Sequence, residues 1–181
     1  GAFQLDREGF VVNNRGQRLQ AFEALDPEGT SFNTGSPADL QIETGLGAPQ
    51  ATTAVDTRIN FNADAEVLGG AGTDIDPDDA NSFNFTSAIT IFDSLGTPHT
   101  ATMYVRRTDN LEYATRVFTD GNDMGGQDLE FDNSGSLTTP QPVTYPNTFT
   151  PATGAADIGL DYDFTGSTLL GDSFSVNDLT Q

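Results

Sequence analysis

The sequence has 181 residues, enough for one large domain or for two smaller ones. It contains 27 acidic and only 7 basic side chains, all of the latter Arg, so the formal net charge is −20. Because contacts to phosphate depend on Lys and Arg, this balance argues against binding to nucleic acid or to an anionic membrane. The absence of Cys excludes disulfides, thiolate metal sites and cysteine nucleophiles.

The first fifty residues are predicted to form short strands separated by turns. Turn-forming residues at 6–9 precede an apolar run at 10–12, and a second turn at 13–16 precedes another strand at 19–22. Residues 26–39 contain two Pro and two Gly with few apolar side chains, which predicts a loop.

From residue 51 onward the apolar residues alternate with polar ones, as in strands with one buried face. In the first such run Val55, Ile59 and Phe61 share a face, and Asp56 and Arg58 lie on the other. The following residues, 69–81, are rich in Gly and Asp and have no periodicity, so they are predicted to be a long mobile loop.

The strongest pattern is a hairpin at residues 83–105. Its first strand alternates through Phe85, Ile89 and Ile91, and its second through Met103 and Val105. The connection at 93–98 has the Asp, Ser, Gly and Pro that a chain reversal needs. A third strand at 111–118 would extend the hairpin into a meander.

The last third of the chain is predicted to be mixed in regularity. Residues 120–127 are Gly-rich and are predicted to be a loop, 129–137 a short hairpin, and 138–153, with four Pro, an irregular segment. Alternating apolar residues at 158–164 predict a strand, and Phe174 and Val176 a closing one.

No window has a helical period, so the predicted fold class is all-β. We expect short antiparallel strands that form a β-barrel or a sandwich-like domain, together with part of a second β-domain. No stretch approaches the roughly 20 apolar residues of a membrane span. The first residues lack the basic and apolar regions of a signal peptide.

His99, the only histidine, lies near Asp93 and Ser94, so the sequence holds the three residue types of a Ser-His-Asp triad. A Ser-His-Asp triad requires the three side chains to converge beside an oxyanion hole. Asp93 and Ser94 lie in the predicted turn, where such side chains bond to nearby backbone. The sequence therefore predicts no catalytic residues.

Two Asp-rich segments resemble calcium loops superficially. Residues 74–79 carry four Asp, at positions 74, 76, 78 and 79, but lack the Gly and Glu of an EF-hand. Residues 120–126 match a calcium-repeat loop only once, whereas such repeats work as arrays. We predict no metal site and no cofactor.

A further carboxylate set, Asp157, Asp161 and Asp163, is predicted to lie on the outer face of a strand. Glycosidases use a pair of carboxylates, so these residues alone do not exclude a glycosidase activity. That alternative lacks support because the sequence has no Trp for a sugar subsite.

Several segments, taken in order, resemble bacterial flagellar hook proteins. They are GAFQLDREGFVVNNRGQRLQAF at 1–22, ADLQI at 38–42, the INFNADA run at 59–65, DSLG followed by PH at 93–99, and LEFDNSGSL at 129–137. In the family the first segment reads G-x-F-x-x-D, then an apolar run, then G-x-x-L-x-G followed by Tyr. Here Ala21 and Phe22 stand in place of the last Gly and Tyr.

The resemblance implies a domain division and a role. Residues 1–50 would be the N-terminal segment of a discontinuous inner β-domain, and residues 51–181 the outer β-domain. The family's terminal helices and the returning half of the inner domain are missing, so we expect a fragment that is monomeric in dilute solution. The implied function is that of a non-enzymatic structural subunit of the hook, the universal joint that links rod to filament in motility.

The implied partners are other hook subunits, the hook cap, the rod and the hook–filament junction proteins. The implied location is extracellular, on the flagellum, after type III export without a cleaved signal peptide. Two alternatives stay open. One is a distal rod protein, although the rod relatives have a much shorter region in place of residues 51–181. The other is a secreted carbohydrate-binding β-sandwich. The latter expects exposed Trp or Tyr, and the sequence has no Trp and four Tyr.

Overall fold

The computed structural model describes residues 2–22, 24–25, 31–42, 49–72 and 75–181. None of these residues lies in an α-helix, which confirms the all-β prediction. The chain divides into two compact units, residues 1–47 and 48–181. The strands are β1 (Phe3–Leu5), β2 (Val11–Asn13), β3 (Gln20–Ala21), β4 (Ala38–Asp39), β5 (Ala54–Asn62), β6 (Phe85–Phe92), β7 (Pro98–Asp109), β8 (Glu112–Thr119), β9 (Asn122–Glu130), β10 (Val143–Thr144), β11 (Asp161–Asp163), β12 (Thr168–Leu170) and β13 (Ser175–Thr180).

The first unit consists of two small antiparallel pairs, β1 with β2 and β3 with β4. Its predicted turns are present, because the Asp6 carboxylate accepts bonds from the Glu8 and Phe10 N–H groups, both at 2.9 Å. Within its described residues the buried hydrophobic side chain is Val12. The exposed large hydrophobic residues of this unit are Phe3, Leu5, Phe22, Leu25, Phe32 and Ile42. Of the loop predicted at 26–39, residues 26–30 lie outside the described residues, and β4 forms near its end.

In the second unit, one sheet is the antiparallel meander β6-β7-β8-β9. The predicted hairpin is confirmed, with Ile89 opposite Ala101 and Ile91 opposite His99. Met103 in turn lies opposite Val117 of β8. The alternation of apolar residues therefore set the register, since a slip by one residue would have turned every apolar side chain outward.

The other sheet has the order β10-β11-β5-β12, and β13 pairs with the opposite edge of β5. Strands β11 and β12 run parallel to β5, and only β13 and β10 make antiparallel pairs. The parallel pairs depart from the expected antiparallel pattern because β5, nine residues long, takes two three-residue strands end to end along one edge. The alternation at 158–164 holds, but only residues 161–163 form a strand, β11, and Ile158 makes an isolated bridge with Phe149.

The inward faces of the two sheets share one hydrophobic core, and neither sheet closes on itself, so the unit is sandwich-like. Phe61 of β5 is fully buried, with its ring centroid 5.1 Å from those of both Tyr113 and Phe131. Such tilted and edge-to-face ring pairs add about 0.5–1.5 kcal/mol each to the burial of their area.

The loop predicted at 120–127 is wrong for residues 122–127, which belong to β9. Val117 pairs with Gly125 and Phe118 with Asp123, so Met124 bulges from the ladder, and its side chain is fully buried. Gly125 has φ of 94°, and a Cβ there would lie 2.5 Å from Pro146. Backbone hydrogen bonds hold this strand in the sheet, and they do not require apolar and polar side chains to alternate along it.

Of the segment predicted as a mobile loop at 69–81, residues 73–74 lie outside the described residues, and the rest is irregular but fastened to the meander. The Arg106 guanidinium donates to the carbonyls of Gly69 (2.7 Å), Ser82 (2.6 Å) and Leu68 (3.2 Å). Ile75 within the segment is buried. An always-charged side chain with five donors can thus bind both ends of one segment at once.

Candidate functional site

The most concentrated group of ionisable side chains lies at one end of the meander. The β6–β7 turn and the β8–β9 turn meet there, because β7 and β8 are antiparallel neighbours. His99, near the start of β7, has its Nδ1 atom 2.7 Å from Oδ2 of Asp120 and its Nε2 atom 3.5 Å from Oδ2 of Asp93. The Phe149 ring packs edge-on against the imidazole, with centroids 4.9 Å apart.

Asp93 is fully buried in the turn. Its Oδ1 atom accepts the N–H groups of Leu95 and Thr97, both at 2.8 Å, and its Oδ2 atom accepts the Thr153 hydroxyl at 2.9 Å. The prediction that this carboxylate bonds to nearby backbone is confirmed. Burial by itself would raise the pKa of Asp93, but the donors, led by the Thr97 N–H, hold that pKa far below its usual range.

The pKa values of the other two members of the cluster, His99 and Asp120, shift in opposite directions. The hydrogen bond with Asp120 raises the pKa of His99, with a smaller contribution from Asp93, against the lowering effect of burial. The Thr100 N–H, which donates to Asp120 at 2.9 Å, and then His99 lower the pKa of Asp120. The contacts in the cluster therefore favour the charged form of each member, the imidazolium of His99 and the carboxylates of Asp93 and Asp120.

This arrangement differs from a catalytic triad. Both ring nitrogens of His99 face carboxylates, so neither faces the Ser94 hydroxyl. The Ser94 Oγ atom instead accepts the Ala156 N–H at 3.1 Å, and since Ala156 is 62 residues away, the prediction that Ser94 bonds to nearby backbone is wrong. These contacts fasten the two turns and residues 153–156 to one another. They place no base beside the Ser94 hydroxyl that could activate it as a nucleophile.

The Asp-rich segments use their carboxylates as turn acceptors. Asp76 accepts the Asp78 N–H at 3.0 Å, and Asp79 accepts the Asn81 N–H at 2.9 Å. Asp74 lies outside the described residues. Asp123 forms an ion pair with Arg116, which lowers the pKa of Asp123. Among the described residues, no group of three His, Asp or Glu side chains is arranged to hold a metal ion.

The carboxylates of the last strand lie where expected. Asp161 and Asp163 flank the buried Tyr162 on β11 and point away from the core, and Asp157 is exposed. The predicted place on the outer face of a strand is confirmed for Asp161 and Asp163, whereas for Asp157 it is wrong, because that residue precedes β11.

Sequence reasoning missed Asp120 as the partner of His99 and Asp123 as the partner of Arg116. Both pairs join different strands or turns, 21 and 7 residues apart. The register of the meander is the signal that reveals both pairs, since it sets Ala101 opposite Thr119 at the same end of the sheet.

The outer face of the meander carries a shallow groove of about 540 Å³. Its lining includes Thr100, Thr102, Tyr104 and Phe118. Tyr104 is half-buried there, with its ring centroid 5.6 Å from that of Phe118. The other three Tyr side chains, Tyr113, Tyr145 and Tyr162, are buried in the core, so they cannot serve as sugar-binding platforms. Within the described residues, no helix is long and apolar enough to cross a membrane.

Comparison with known proteins gives a family match over most of the second unit. The model of the family described as flagellar basal body protein FlaE D2 domain matches residues 60–181. The flagellar hook protein FlgE of Salmonella typhimurium is 31% identical over 114 residues, which are 63% of this chain and 28% of that protein. The FlgE protein of Escherichia coli K12 is 28% identical over 141 residues, 76% of this chain and 35% of that protein.

A solved structure also resembles the chain. It is a 32 kDa fragment of the flagellar hook protein FlgE from Caulobacter crescentus, with a TM-score of 0.45 and 16% identity. The match covers 54% of this chain and 46% of that chain. The aligned part of this chain spans between 28% and 35% of the length of the two sequence relatives.

Proposed function

Because this chain belongs to the family of the flagellar basal body protein FlaE D2 domain, we propose that it is part of a structural subunit of the bacterial flagellar hook. Residues 51–181 would be the outer β-domain, and residues 1–50 a segment of an inner domain. The observation that carries the proposal is the coincidence of the family match, 60–181, with the compact unit 48–181. The similarity to two FlgE proteins supports the same assignment.

The properties of the described residues suit a structural subunit. The ionisable cluster fastens turns together, and the buried aromatic residues form one continuous core. The net charge of −20 gives a polar surface on which contacts between copies would be small and hydrated. Such contacts can exchange without locking one geometry, as a joint between rod and filament requires.

The partners in this proposal are other hook subunits first, and then the hook cap, the rod and the hook–filament junction proteins. The location is extracellular, on the flagellum. No enzymatic activity and no cofactor form part of the proposal. The distal rod alternative would place the same domain inside the envelope, which allows a direct test.

The test is immunogold electron microscopy of detached flagella, with antibodies raised against residues 51–181. We expect gold along the curved segment between the rod and the filament. Antibodies absorbed beforehand with the purified protein serve as the control and should leave that segment unlabelled. Gold confined to the rod would favour the distal rod alternative, and labelling of the filament or of the cell surface alone would refute a place in the hook.

A further inference from the structure

Strand β6 is the outermost strand of the meander, and over most of its length no described residue bonds to its outer edge. Asp93 donates its N–H inward to Thr97 at 3.0 Å, whereas the preceding residue, Phe92, donates outward to the Thr52 hydroxyl at 3.1 Å. The direction of backbone groups alternates along a strand. The residues that share the outward direction of Phe92 are Thr86, Ala88 and Thr90.

The other sheet edges in this unit are covered, interrupted or short. The β9 edge bonds to the segment that follows it, with the Asn147 N–H donating to Met124 at 3.0 Å and the Thr138 N–H to Glu130 at 2.8 Å. Strand β13 has a bulge before Asp178, a charged residue. Strands β10 and β12 have two and three residues. Among the strands described in residues 49–181, β6 alone offers a long free edge.

The sequence of β6, FTSAITIF, has none of the features that protect edges. It contains no charged residue, no Pro and no Gly, and its register with β7 is unbroken over eight residues. The side chains of Thr86, Ala88 and Thr90 are exposed and small, so another strand can approach closely. Natural proteins avoid such edges because they pair with other chains.

We propose that the β6 edge is a contact site for a second copy of this chain, which adds an extended strand along it. The proposed function supplies this partner, since it makes neighbouring copies of the chain touch, and the charge distribution favours β6 as the place of contact. Two copies with a net charge of −20 repel one another over most of their surfaces. Residues 80–92 form a run of thirteen without a charged side chain, and Asp93 beyond them is buried. Main-chain bonds supply the affinity in this mode of association, and they do not depend on charge.

The inference rests on the proposed function, which it deepens by naming a surface through which neighbouring subunits touch. Two chains that pair through a single edge strand bury little surface area, so the contact is weak. A weak contact can break and re-form, which the proposed joint requires. Its failure can be told apart from failure of the proposed function, because immunogold labelling of the hook does not depend on the edge.

The test is amide hydrogen exchange, measured by NMR on the whole chain in 1 M salt, where the Debye length is about 3 Å and the repulsion is screened. At a protein concentration of about 1 mM, a contact with a Kd near that value is substantially formed. Relative to a dilute sample, we expect the amides of Thr86, Ala88 and Thr90 to exchange about two-fold more slowly, because about half of the copies are then paired. The inward amides of Ser87 and Ile89 are the internal control and should not change.

Two variants at Ala88 sharpen the test. Ala88→Pro removes an outward N–H and leaves the ladder to β7 intact, and Ala88→Lys places a charge on the edge while it lowers the net negative charge. Both should abolish the concentration-dependent protection, whereas Ala88→Ser, which keeps the N–H, should retain it. Unchanged inward amides verify folding of each variant. No protection at the three outward amides, or association with protection only in the first unit, would overturn the proposal.

Discussion

The Nδ1 atom of His99 lies 2.7 Å from the carboxylate of Asp120, which is 21 residues further along the chain. The contact raises the pKa of His99 above its ordinary value, so the imidazolium stabilises the fold. This stabilisation is fully present below about pH 6.5, the unfolded value, and is lost as the pH rises through the folded one. Asp120 and Asp93 have lowered pKa values, so their contribution is present above about pH 4 and is lost in stronger acid.

Urea unfolding should therefore show a lower free energy of unfolding at about pH 9 than at about pH 6. Asp120→Asn should cost about 1 kcal/mol at the lower pH, a modest value since Asp120 is partly exposed, and should flatten the pH dependence. Because the sequence has one His, its imidazole resonance titrates alone in NMR. A His99 pKa at or below its ordinary value in the native protein would contradict the ion-pair interpretation.

The two faces of β6 should respond differently to charge. Ile91 is fully buried and Thr90 is exposed. Ile91→Asp should destabilise the fold by roughly 3 kcal/mol or more, because it buries a carboxylate without a partner. Thr90→Asp, the matched control, should cost well under about 1 kcal/mol. Chemical denaturation measures both, and equal losses would mean that the outer face of this strand is also covered.

Arg106 should hold the 69–82 segment in place. Arg106→Gln removes a charged donor from three carbonyls and should cost about 2 kcal/mol. It should also make the segment more sensitive to limited proteolysis. Arg106→Lys should recover little, since one ammonium cannot reproduce the planar fork. Arg58→Gln is the control at an exposed arginine, with an expected change within about 0.5 kcal/mol. Unaltered proteolysis of Arg106→Gln would show that other contacts fasten the segment.

Under the proposed function, deletion of residues 51–181 from the hook subunit tests the role proposed for the outer domain. We expect assembly to continue without it, because the remaining parts of the subunit would still build the tube. Hooks should be straight or brittle and swimming poor, with export unchanged, and electron microscopy and motility assays measure both. Absence of hooks would show that the region is needed for folding or assembly. Hooks of normal curvature would remove the outer domain from the control of bending.

Local patterns predicted the parts of the fold that neighbours in sequence create. The β6–β7 hairpin could be predicted because its alternation and its turn residues agree, and the Asp93 carboxylate serves that turn as expected. Strand β9 was missed because Gly125 and Gly126 carry no side chain to reveal a buried face. Their strand is specified by the ladder to β8 and by the close approach of Pro146.

Contacts between distant parts of the chain left no local sign. The parallel pairs of β5 with β11 and β12 join residues more than a hundred positions apart, and each involves three residues. Asp120 could not be assigned to His99 without the register of the meander. Arg106 resembled any surface arginine, because the carbonyl groups that it binds have no side-chain signature.

The position of β5 has a consequence for the order of folding. Its three partners, β11, β12 and β13, all come from the last part of the sequence, whereas β6, β7 and β8 each pair with the next strand along the chain. On the ribosome, the meander can close as soon as residue 130 has emerged, but the sheet around β5 has nothing to pair with until residues 161–180 follow. Loop closure over such distances is slow. Between those two points a nascent chain is therefore only partly folded, and Phe61 lacks the strands that pair with β5.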